Sequence, residues 1–562
     1  MSQTAIQESI SAQPTDDGIL LETIPETHRV RSVSGGAAIE PSASTESPSE
    51  IQTAEDETRY PTGAKFWLIM SSVSLVLILG GMDSSIVAVA VPSITNHFHT
   101  VRDVGWYAAA YRLSICSFQF MFGKLYTLFS LKRIFLISII IFMIGSILCA
   151  AAPTSAAFVA GRAVCGFAGA GMISGCFASI VHNLPLRRRP VWGSILGAVE
   201  GIAVIASPLI GGVIVQKLSW RWCFYINIPL GVVTFVALMG LLDNMEPAET
   251  LSWKQKLSHL DLIGNAVFVP GITCLFLALG WAGTRNPWNS PTIIALFITF
   301  AALLFSFAFV QYRRQDAATL PPRLLRNRSV VSGFFFSLCC NSTMQIVEYY
   351  LPTYFQTVRE YTPARSGIMM LPIIISFLVA MLIQGSGVTL IGYYVPFMLA
   401  GSILMPIFAG LMTTLRVRSN LAQLILYPGF MGFAGGIGFQ SPQTAVQTSL
   451  PPNDATIGLA IIMFAQQFGP AVFISAAQSI LTNRLEENLP VLGSGLNVTS
   501  IENMGLTDLK MHMGAEKLQE VLSGFDHSLA QTWYLSVALG CMTMVGSLGM
   551  EWKSVKKEKA RQ

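Results

Sequence analysis

From Phe66 to about residue 550 the sequence repeats one pattern, in which apolar runs of about 20 residues alternate with short polar loops. A helix of that length rises about 30 Å, which matches the hydrocarbon core of a bilayer. Hydrophobic residues make up 52% of the 562 residues and charged residues only 12%, too few to cover a soluble protein of this size. The pattern therefore predicts an all-α, polytopic membrane protein. The small net charge of +4 argues against a nucleic-acid partner.

Lys and Arg fall mainly on one side of the membrane when the runs are threaded in order. The basic triplet 187–189 and the basic tail 553–561 lie on the same side as the N-terminus. Because cytosolic loops hold the excess of Lys and Arg, we expect both termini in the cytosol, which requires an even number of spans. The fourteen predicted spans are 66–92, 104–127, 133–152, 157–184, 191–215, 221–242, 260–283, 291–311, 330–357, 366–387, 393–415, 421–447, 455–482 and 530–550.

Taken in order, the fourteen spans form a group of six, a linking pair and a second group of six. The first 63 residues are rich in Ser, Thr, Glu and Pro and lack an apolar period, which is typical of a disordered tail. Asn497 begins a glycosylation sequon in the one long outer loop. The expected regions are a cytosolic tail over 1–63, a six-helix bundle over 64–243, two linking helices and a cytosolic loop over 244–329, a second six-helix bundle over 330–550 with the outer loop 483–529, and a basic cytosolic tail over 551–562.

The sequence contains no motif of an enzyme or an ATPase. A phosphate-binding loop is absent, and the seven His and nine Cys are not spaced as metal ligands. We therefore expect no catalytic residues, no metal and no cofactor, with a proton gradient as the source of energy. The expected partners are the lipid bilayer and a small organic substrate, and the chain is expected to act as a monomer.

Five ionisable side chains fall inside predicted spans: Asp83, Arg112, Arg162, Glu200 and Glu348. A charge at the bilayer centre costs at least about 2.5 kcal/mol, so each predicts a functional role or a buried ion pair. Helical rise places Asp83 and Arg112 at similar depth on consecutive spans, which favours either an ion pair between them or proton exchange at Asp83. Glu200 and Glu348 have no cation near them in sequence and are the stronger candidates for proton exchange.

Small residues cluster in the fourth and fifth spans. Gly166 and Gly171 lie in the fourth, and Pro208, Gly211 and Gly212 lie in the fifth. Small side chains let helices approach closely, and a proline inside a helix lets it bend. Two such runs on neighbouring spans predict a bundle whose helices move during gating.

The residues around these charges form motifs of a known family. Residues 81–92 read GMDSSIVAVAVP, residues 162–171 contain an RxxxGxGxG-type pattern, and residues 207–212 read SPLIGG. With the stretch 220–231, WRWCFYINIPLG, they resemble the 14-span drug:proton antiporter branch of the major facilitator superfamily. The resemblance implies two six-helix bundles plus two extra helices, and proton-coupled efflux by alternating access.

One loop departs from the family pattern. The loop after the second span usually contains an Asp that helps to hold the inner gate, and Thr127 stands there instead. The basic part of the motif is retained as Lys132 and Arg133. This form of the loop, like the stretch 427–440, is similar to fungal toxin and secondary-metabolite efflux pumps. The motif leaves open how this chain closes its inner side.

The resemblance also implies a substrate site near the midplane, between the two bundles. Uncharged polar side chains in an apolar wall suit a moderately hydrophobic organic molecule, although each Gln is also able to join two helices. The candidates are Gln119, Gln345, Gln384, Gln440, Gln443 and Gln466.

These observations predict an efflux antiporter in the plasma membrane, with a vacuolar or vesicle membrane left open. An importer or a vacuolar transporter of the same fold is the first alternative. A membrane sensor or an integral-membrane enzyme is a remote alternative, because neither a soluble signalling domain nor a catalytic cluster is visible in the sequence.

Overall fold

The computed structural model describes residues 60–100, 103–244, 252–283, 286–488 and 515–556, which are helical apart from turns, short loops and two isolated bridges. The predicted all-α fold is therefore confirmed. The long helices of this part of the chain are α1 (Gly63–Phe98), α2 (Val104–Leu128), α3 (Leu131–Ala150), α4 (Ser155–Asn183), α5 (Arg189–Lys217), α6 (Asn227–Leu241), α7 (Leu262–Trp281), α8 (Pro291–Arg314), α9 (Arg328–Thr353), α10 (Pro363–Ile391), α11 (Val395–Met412), α12 (Leu421–Phe439), α13 (Pro452–Asn488) and α14 (Ala515–Gly549).

Twelve of these helices are long and apolar enough to cross a membrane, which makes the chain a multi-pass membrane protein. The two others, α2 and α14, coincide with the predicted spans 104–127 and 530–550 but contain more polar residues. In α2 those residues include Arg112, Gln119 and Lys124. The structure therefore shows twelve helices that are apolar enough to span a membrane, and the count of fourteen spans stays a prediction.

Local sequence sets where several helices begin. Thr154 caps α4 by accepting a hydrogen bond from the Ala157 amide, and Ser290 caps α8 in the same way, with Pro291 at its first position. These side chains satisfy amides that have no partner inside the helix, and proline loses nothing there because its missing N–H would be unpaired. The same chemistry fixes α12, where Asn420 forms a capping box.

Packing repeats between the two halves of the chain. In the first half, α1 packs on α5 and α6, α2 on α4, and α3 on α4 and α6. In the second half, α9 packs on α13 and α14, α10 on α12, and α11 on α12 and α14. The linking helices α7 and α8 pack on each other, and α7 also contacts α2 and α13. Each half has its own aromatic core, with Phe142 and Phe158 in the first and Tyr350 and Trp533 in the second.

The two halves contact each other at one end of the bundle. We call the end that holds Leu128 and Leu131 the inner end, and the opposite end the outer end. A Cβ on Gly123 of α2 would lie 2.7 Å from Ala460 of α13, so those helices touch directly. Ser194 of α5 donates to Gln384 of α10 at 3.3 Å. The inner end is therefore closed in this structure.

Several predicted boundaries change. The helix α1 continues through Pro92 to Phe98, α13 continues to Asn488, and α14 begins at Ala515. Apolar periodicity marks only the hydrophobic part of a helix, whereas the backbone hydrogen bonds that define these bounds continue into the polar residues that flank it. Asn497 and nearly all of the predicted tail 1–63 lie outside the described residues.

Candidate functional site

A buried pair of opposite charges lies at the centre of the first half. Arg162 of α4 donates from Nη1 to the Oδ2 atom of Asp83 in α1 at 2.6 Å, and both side chains are almost completely buried. The Gly-rich sequence of α4 brings its backbone close to the neighbouring helices, so the guanidinium reaches the carboxylate. A buried pair is stable only when its remaining donors and acceptors are also satisfied.

Neighbouring side chains satisfy this pair. Asn227 of α6 donates to the other oxygen of Asp83 at 3.0 Å and to Ser146 Oγ at 3.2 Å. The Nε atom of Arg162 donates to the Tyr107 carbonyl at 3.0 Å, and its guanidinium carbon lies 4.5 Å from the centre of the Tyr111 ring. Four helices thus meet at one ion pair, which makes it a structural centre of the first half.

The structure differs from the expected pairing of Asp83 with Arg112. The two residues were matched by depth alone, but each residue of a helix is rotated by about 100° from the one before it. Tyr111 faces α4, where its carbonyl packs against Gly166, so Arg112 points elsewhere and its side chain is exposed. Arg162 of α4 points toward α1 and supplies the cation that Asp83 requires.

Arg112 instead acts electrostatically on Glu348, which belongs to α9 in the second half. Gln345, one turn away on α9, donates to Glu348 Oε2 at 3.2 Å. Both Gln345 and Glu348 keep part of their surface accessible. Among the described residues, Glu348 has no direct ion pair, so this cation and this carboxylate, which come from opposite halves, are within electrostatic range but are not joined.

Glu200 lies near the middle of α5, beside α1, where its carbonyl oxygen would be 3.0 Å from a Cβ on Gly81. The residue is half-buried, and the described part of the chain gives it no ion pair. Glu200 and Glu348 therefore differ from Asp83, whose two oxygens are both occupied.

The predicted small residues lie at close helix contacts. A Cβ on Gly171 of α4 would lie 2.3 Å from Ser138 Oγ of α3, and one on Gly211 of α5 would lie 2.7 Å from Ile86 of α1. Gly212 is looser, with Val89 at 3.9 Å. Pro208 follows Ser207, whose hydroxyl donates to the Met82 carbonyl at 2.8 Å. These contacts place the residues at helix–helix interfaces, and their part in gating remains a prediction.

Replacing Gly166 with Ala is expected to destabilise the protein by about 1–3 kcal/mol, because over-packing a tight contact forces the backbone apart. The new Cβ would lie 2.2 Å from the Tyr111 carbonyl oxygen and 2.9 Å from the Ser114 Cβ. The measurement is thermal unfolding of the purified protein in detergent. Gly80→Ala is the matched control, since nothing lies within 4 Å of a Cβ there. Equal melting temperatures for the two variants would contradict this reading.

Most of the predicted glutamines join helices in the inner half. Gln119 donates to Ser174 Oγ at 2.8 Å, Gln384 donates to Ser441 Oγ at 3.0 Å, and Gln440 donates to the Gly193 carbonyl at 3.2 Å. With its amide oriented to suit its neighbours, Gln443 donates to Gln440 and accepts from Gln466 at 2.8 Å. Only Gln345 and Gln466 of the six keep accessible surface in this closed-inside arrangement.

The loop that departs from the family pattern is held by local contacts. Thr127 donates to the Lys124 carbonyl at 2.7 Å, so it caps the end of α2. Lys132 is half-buried and Arg133 is exposed at the start of α3. Lys124, which the sequence motif contains but for which we predicted no role, is buried and donates to two backbone carbonyls after α8.

Comparison with known proteins agrees with this geometry. The family model described as Major Facilitator Superfamily matches residues 73–474. The chain belongs to the major facilitator superfamily. It is 41% identical to "MFS-type efflux pump MFS1" of Arthroderma benhamiae over 92% of this chain and 97% of that protein. It is 39% identical to "Efflux pump roqT" of Penicillium rubens, over 88% and 92% of the two chains.

Another relative, "Efflux pump aflT" of Aspergillus parasiticus, is 37% identical over 91% of this chain and all of that protein. Solved structures show the same fold at low identity. The human organic anion transporter MFSD10 has a TM-score of 0.52 at 12% identity, covering 85% of this chain and 100% of that chain. The proton:xylose symporter XylE has a TM-score of 0.52 at 15% identity, covering 86% and 95%. This member of the superfamily is therefore a transporter related to fungal efflux pumps, and the predicted resemblance is confirmed.

Besides Lys124, sequence reasoning missed Asn227 and two residues near the inner end, Asp261 and Arg323, whose contacts are described below. Asn227 lies in the WRWCFYINIPLG stretch, where an amide among apolar residues was the available signal. Asp261 directly precedes an apolar run, which is the usual position of a helix cap. Arg323 had no distinguishing pattern, because its partner in the second half, Asp454, is distant in sequence.

Proposed function

We propose that this protein is a proton-coupled antiporter that exports a small amphipathic organic compound, such as a fungal secondary metabolite, toxin or drug, by alternating access. The observation that carries the proposal is the position of Glu348 on α9, where the carboxylate is half-buried, accepts a hydrogen bond from Gln345 and has no ion pair among the described residues. Arg112 of the other half is within electrostatic range of it. A carboxylate at that boundary is able to bind a proton in one arrangement of the halves and release it in the other.

The fixed pair of Asp83 and Arg162 supports a division of roles. Asp83 has no free oxygen and serves to hold the first half together, whereas Glu200 and Glu348 are free to change protonation. We assign proton coupling to these two carboxylates and the positioning of charge to Arg112. The closed inner end and the accessible surface of Glu348 correspond to a state open to the outer side.

We infer fourteen spans with both termini in the cytosol. The helix α14 packs on α9 and α11 in the way that α6 packs on α1 and α3, and α2 packs on α4 as α10 packs on α12. Because α6 and α10 are apolar enough to cross the membrane, we infer that their counterparts in the other half, α14 and α2, cross it as well. The proposed location is the plasma membrane, with a monomer as the working unit and Asn497 as the glycosylation site.

The substrate region proposed here lies between the halves, near Gln345 and Gln466. Gln466 lies on α13 between Phe464 and Phe468, whose rings stack with their centres 5.0 Å apart. An amide beside aromatic rings favours a moderately hydrophobic ligand. The names of the relatives as efflux pumps support export over import.

The test uses purified protein reconstituted in liposomes with an imposed pH gradient. A panel of fluorescent amphipathic aromatic compounds serves as the substrate probe, and protein-free liposomes serve as the control. We expect the compound to move against the direction of proton flow, with the gradient dissipating faster when the compound is present. Tight binding of a compound without movement under the gradient would contradict the antiporter proposal. Movement of compound and protons in the same direction would favour the importer instead.

A further inference from the structure

The inner end of the molecule is held by a turn that follows the linking helices. Lys124, at the inner end of α2, is 5% exposed and donates from Nζ to the carbonyl oxygens of Asp316 at 2.7 Å and Ala318 at 3.0 Å. An ammonium group removed from water requires such acceptors, because an unpaired buried charge is costly. The first half is thus attached to the turn after α8.

The same turn is attached to the second half. Arg323, in the short helix Pro322–Leu325, donates to both oxygens of Asp454 in α13 at 2.6 and 2.8 Å. It also donates to Asp316 Oδ1 at 2.6 Å. The two-pronged contact between guanidinium and carboxylate is among the stronger polar contacts in proteins. The turn therefore bridges α2 and α13 across the line along which the halves would separate.

Asp261, which directly precedes α7, fixes the shape of this turn. The residue is completely buried and adopts a left-handed backbone conformation with φ 47°. Its carboxylate accepts from the Gly264 amide at 2.9 Å, from the Gln311 side chain at 2.7 Å, and from Thr319 through the amide at 3.1 Å and the hydroxyl at 3.2 Å. Arg314 lies 3.3 Å away as an ion pair.

Gln311 also holds the turn directly, because its Oε1 accepts a hydrogen bond from the Leu320 amide at 2.8 Å.

Aromatic packing fixes the linking helices themselves against both halves. The rings of Phe268 in α7 and Phe120 in α2 are 5.4 Å apart, and Phe268 and Phe464 of α13 are 5.8 Å apart. The position of the turn is therefore set by the linking pair of helices rather than by either half alone.

We propose that Asp261 is a positioning residue of the inner seal, which we define as Lys124, Arg323, Asp454 and the turn 315–320. By holding the turn, it presents the two carbonyl oxygens to Lys124 and so favours the arrangement in which the inner end is closed. The linking helices α7 and α8 thereby take part in the conformational equilibrium of transport. This inference rests on the proposed alternating access but needs neither the substrate nor the proton coupling.

Opening of the seal is expected to break the Lys124 contacts first. The turn continues directly into α9, so it remains with the second half, and the Arg323–Asp454 contact stays within that half. The weakest connection is then the one between the Lys124 ammonium and the two carbonyl oxygens, because it consists of hydrogen bonds alone, whereas the turn is covalently continuous with the second half.

Hydrogen–deuterium exchange of the full-length protein in lipid nanodiscs tests the inference. Asp261→Asn removes the charge and one pair of acceptor sites, and we expect about a tenfold rise in the population open at the inner end. Exchange should then increase in residues 119–128 and 452–462 at the inner end and decrease in residues 104–111 and 475–482 at the outer end. A change confined to residues 253–320, or no change at either end, would overturn the proposal.

Lys124→Met is expected to give the same two-ended pattern, and Lys124→Arg is expected to restore closure because it keeps a cation with several donors. The double variant of Asp261→Asn and Lys124→Met should shift exchange no further than the larger single variant, since both act through one contact. Additive effects would count against a shared role. If Asp261→Asn does not fold, Gln311→Leu removes one donor to the same carboxylate and should give the pattern at smaller amplitude, and unchanged exchange would overturn the proposal.

Asp243→Asn is the matched control, because Asp243 is an exposed carboxylate at the inner end whose ion pair with Lys65 lies outside the seal. It should leave exchange at both ends unchanged. The exchange readout also separates the two proposals. A protein that transports nothing in liposomes but shows the two-ended pattern would reject the proposed function and retain the seal.

Discussion

Replacing Arg162 with Met is expected to destabilise the protein by about 3–5 kcal/mol, the usual cost of leaving one member of a buried ion pair uncompensated. The substitution leaves the Asp83 carboxylate buried with only Asn227 as a donor from a side chain. It also removes the hydrogen bond to the Tyr107 carbonyl. The measurement is thermal unfolding in detergent, together with the fraction of monodisperse protein recovered.

The double variant of Asp83→Asn and Arg162→Met separates charge from packing. Without either charge, no buried ion remains, and we expect the double variant to recover a large part of the stability lost by Arg162→Met. Lys65→Met is the control, because its pair with Asp243 is exposed and contributes at most about 1 kcal/mol. Wild-type stability of Arg162→Met would show that the pair is not the structural centre described above.

Replacing Glu348 with Gln is expected to abolish the component of transport that the pH gradient drives, while leaving folding intact. The amide has nearly the shape of the protonated acid but cannot release a proton. Gln345 on the same helix remains able to hydrogen-bond to it. The measurement is compound movement in liposomes with and without the imposed gradient, where the variant should move the compound equally in both conditions.

Glu487→Gln provides the matched control, since it makes the same substitution at an exposed carboxylate near the end of α13 that pairs with Arg484. It should transport as the wild type does. If Glu348→Gln retained the full response to pH, Glu348 would be removed from the mechanism. Glu200→Gln, tested in parallel, would then decide whether the proton passes through the first half.

The order of the helices followed from the sequence, because apolar runs and loop charges reflect the thickness and the sidedness of the bilayer. Twelve of the fourteen predicted spans coincide with helices that are apolar enough to cross a membrane, and the number fourteen stays a prediction. Depth along a helix was also accessible, since the rise per residue is constant. The direction in which each side chain points around the helix axis was not accessible from the sequence. The expected pairing of Asp83 with Arg112 was wrong for that reason. The true partner, Arg162, was identified as an intramembrane charge, but no sequence pattern states which helix faces which.

The inner seal lay further beyond sequence reasoning. Lys124, Asp261 and Arg323 come from three separate segments. The contact of Lys124 with Asp316 and that of Arg323 with Asp454 each join residues more than a hundred positions apart. Thr127 indicated only that the usual acidic residue is missing from the loop. The six glutamines were predicted to lie inside spans, and their hydrogen-bond partners depend on the arrangement of the two halves, which a single sequence does not show.

Two contacts that join the halves are made by neutral groups, namely those between Ser194 and Gln384 and between Gln440 and the Gly193 carbonyl. The work that an electric field does on a moving group is proportional to the charge of that group. Separating these neutral contacts therefore draws almost no energy from the membrane voltage. A voltage dependence of turnover would instead report the movement of charged groups such as Arg112 and Glu348.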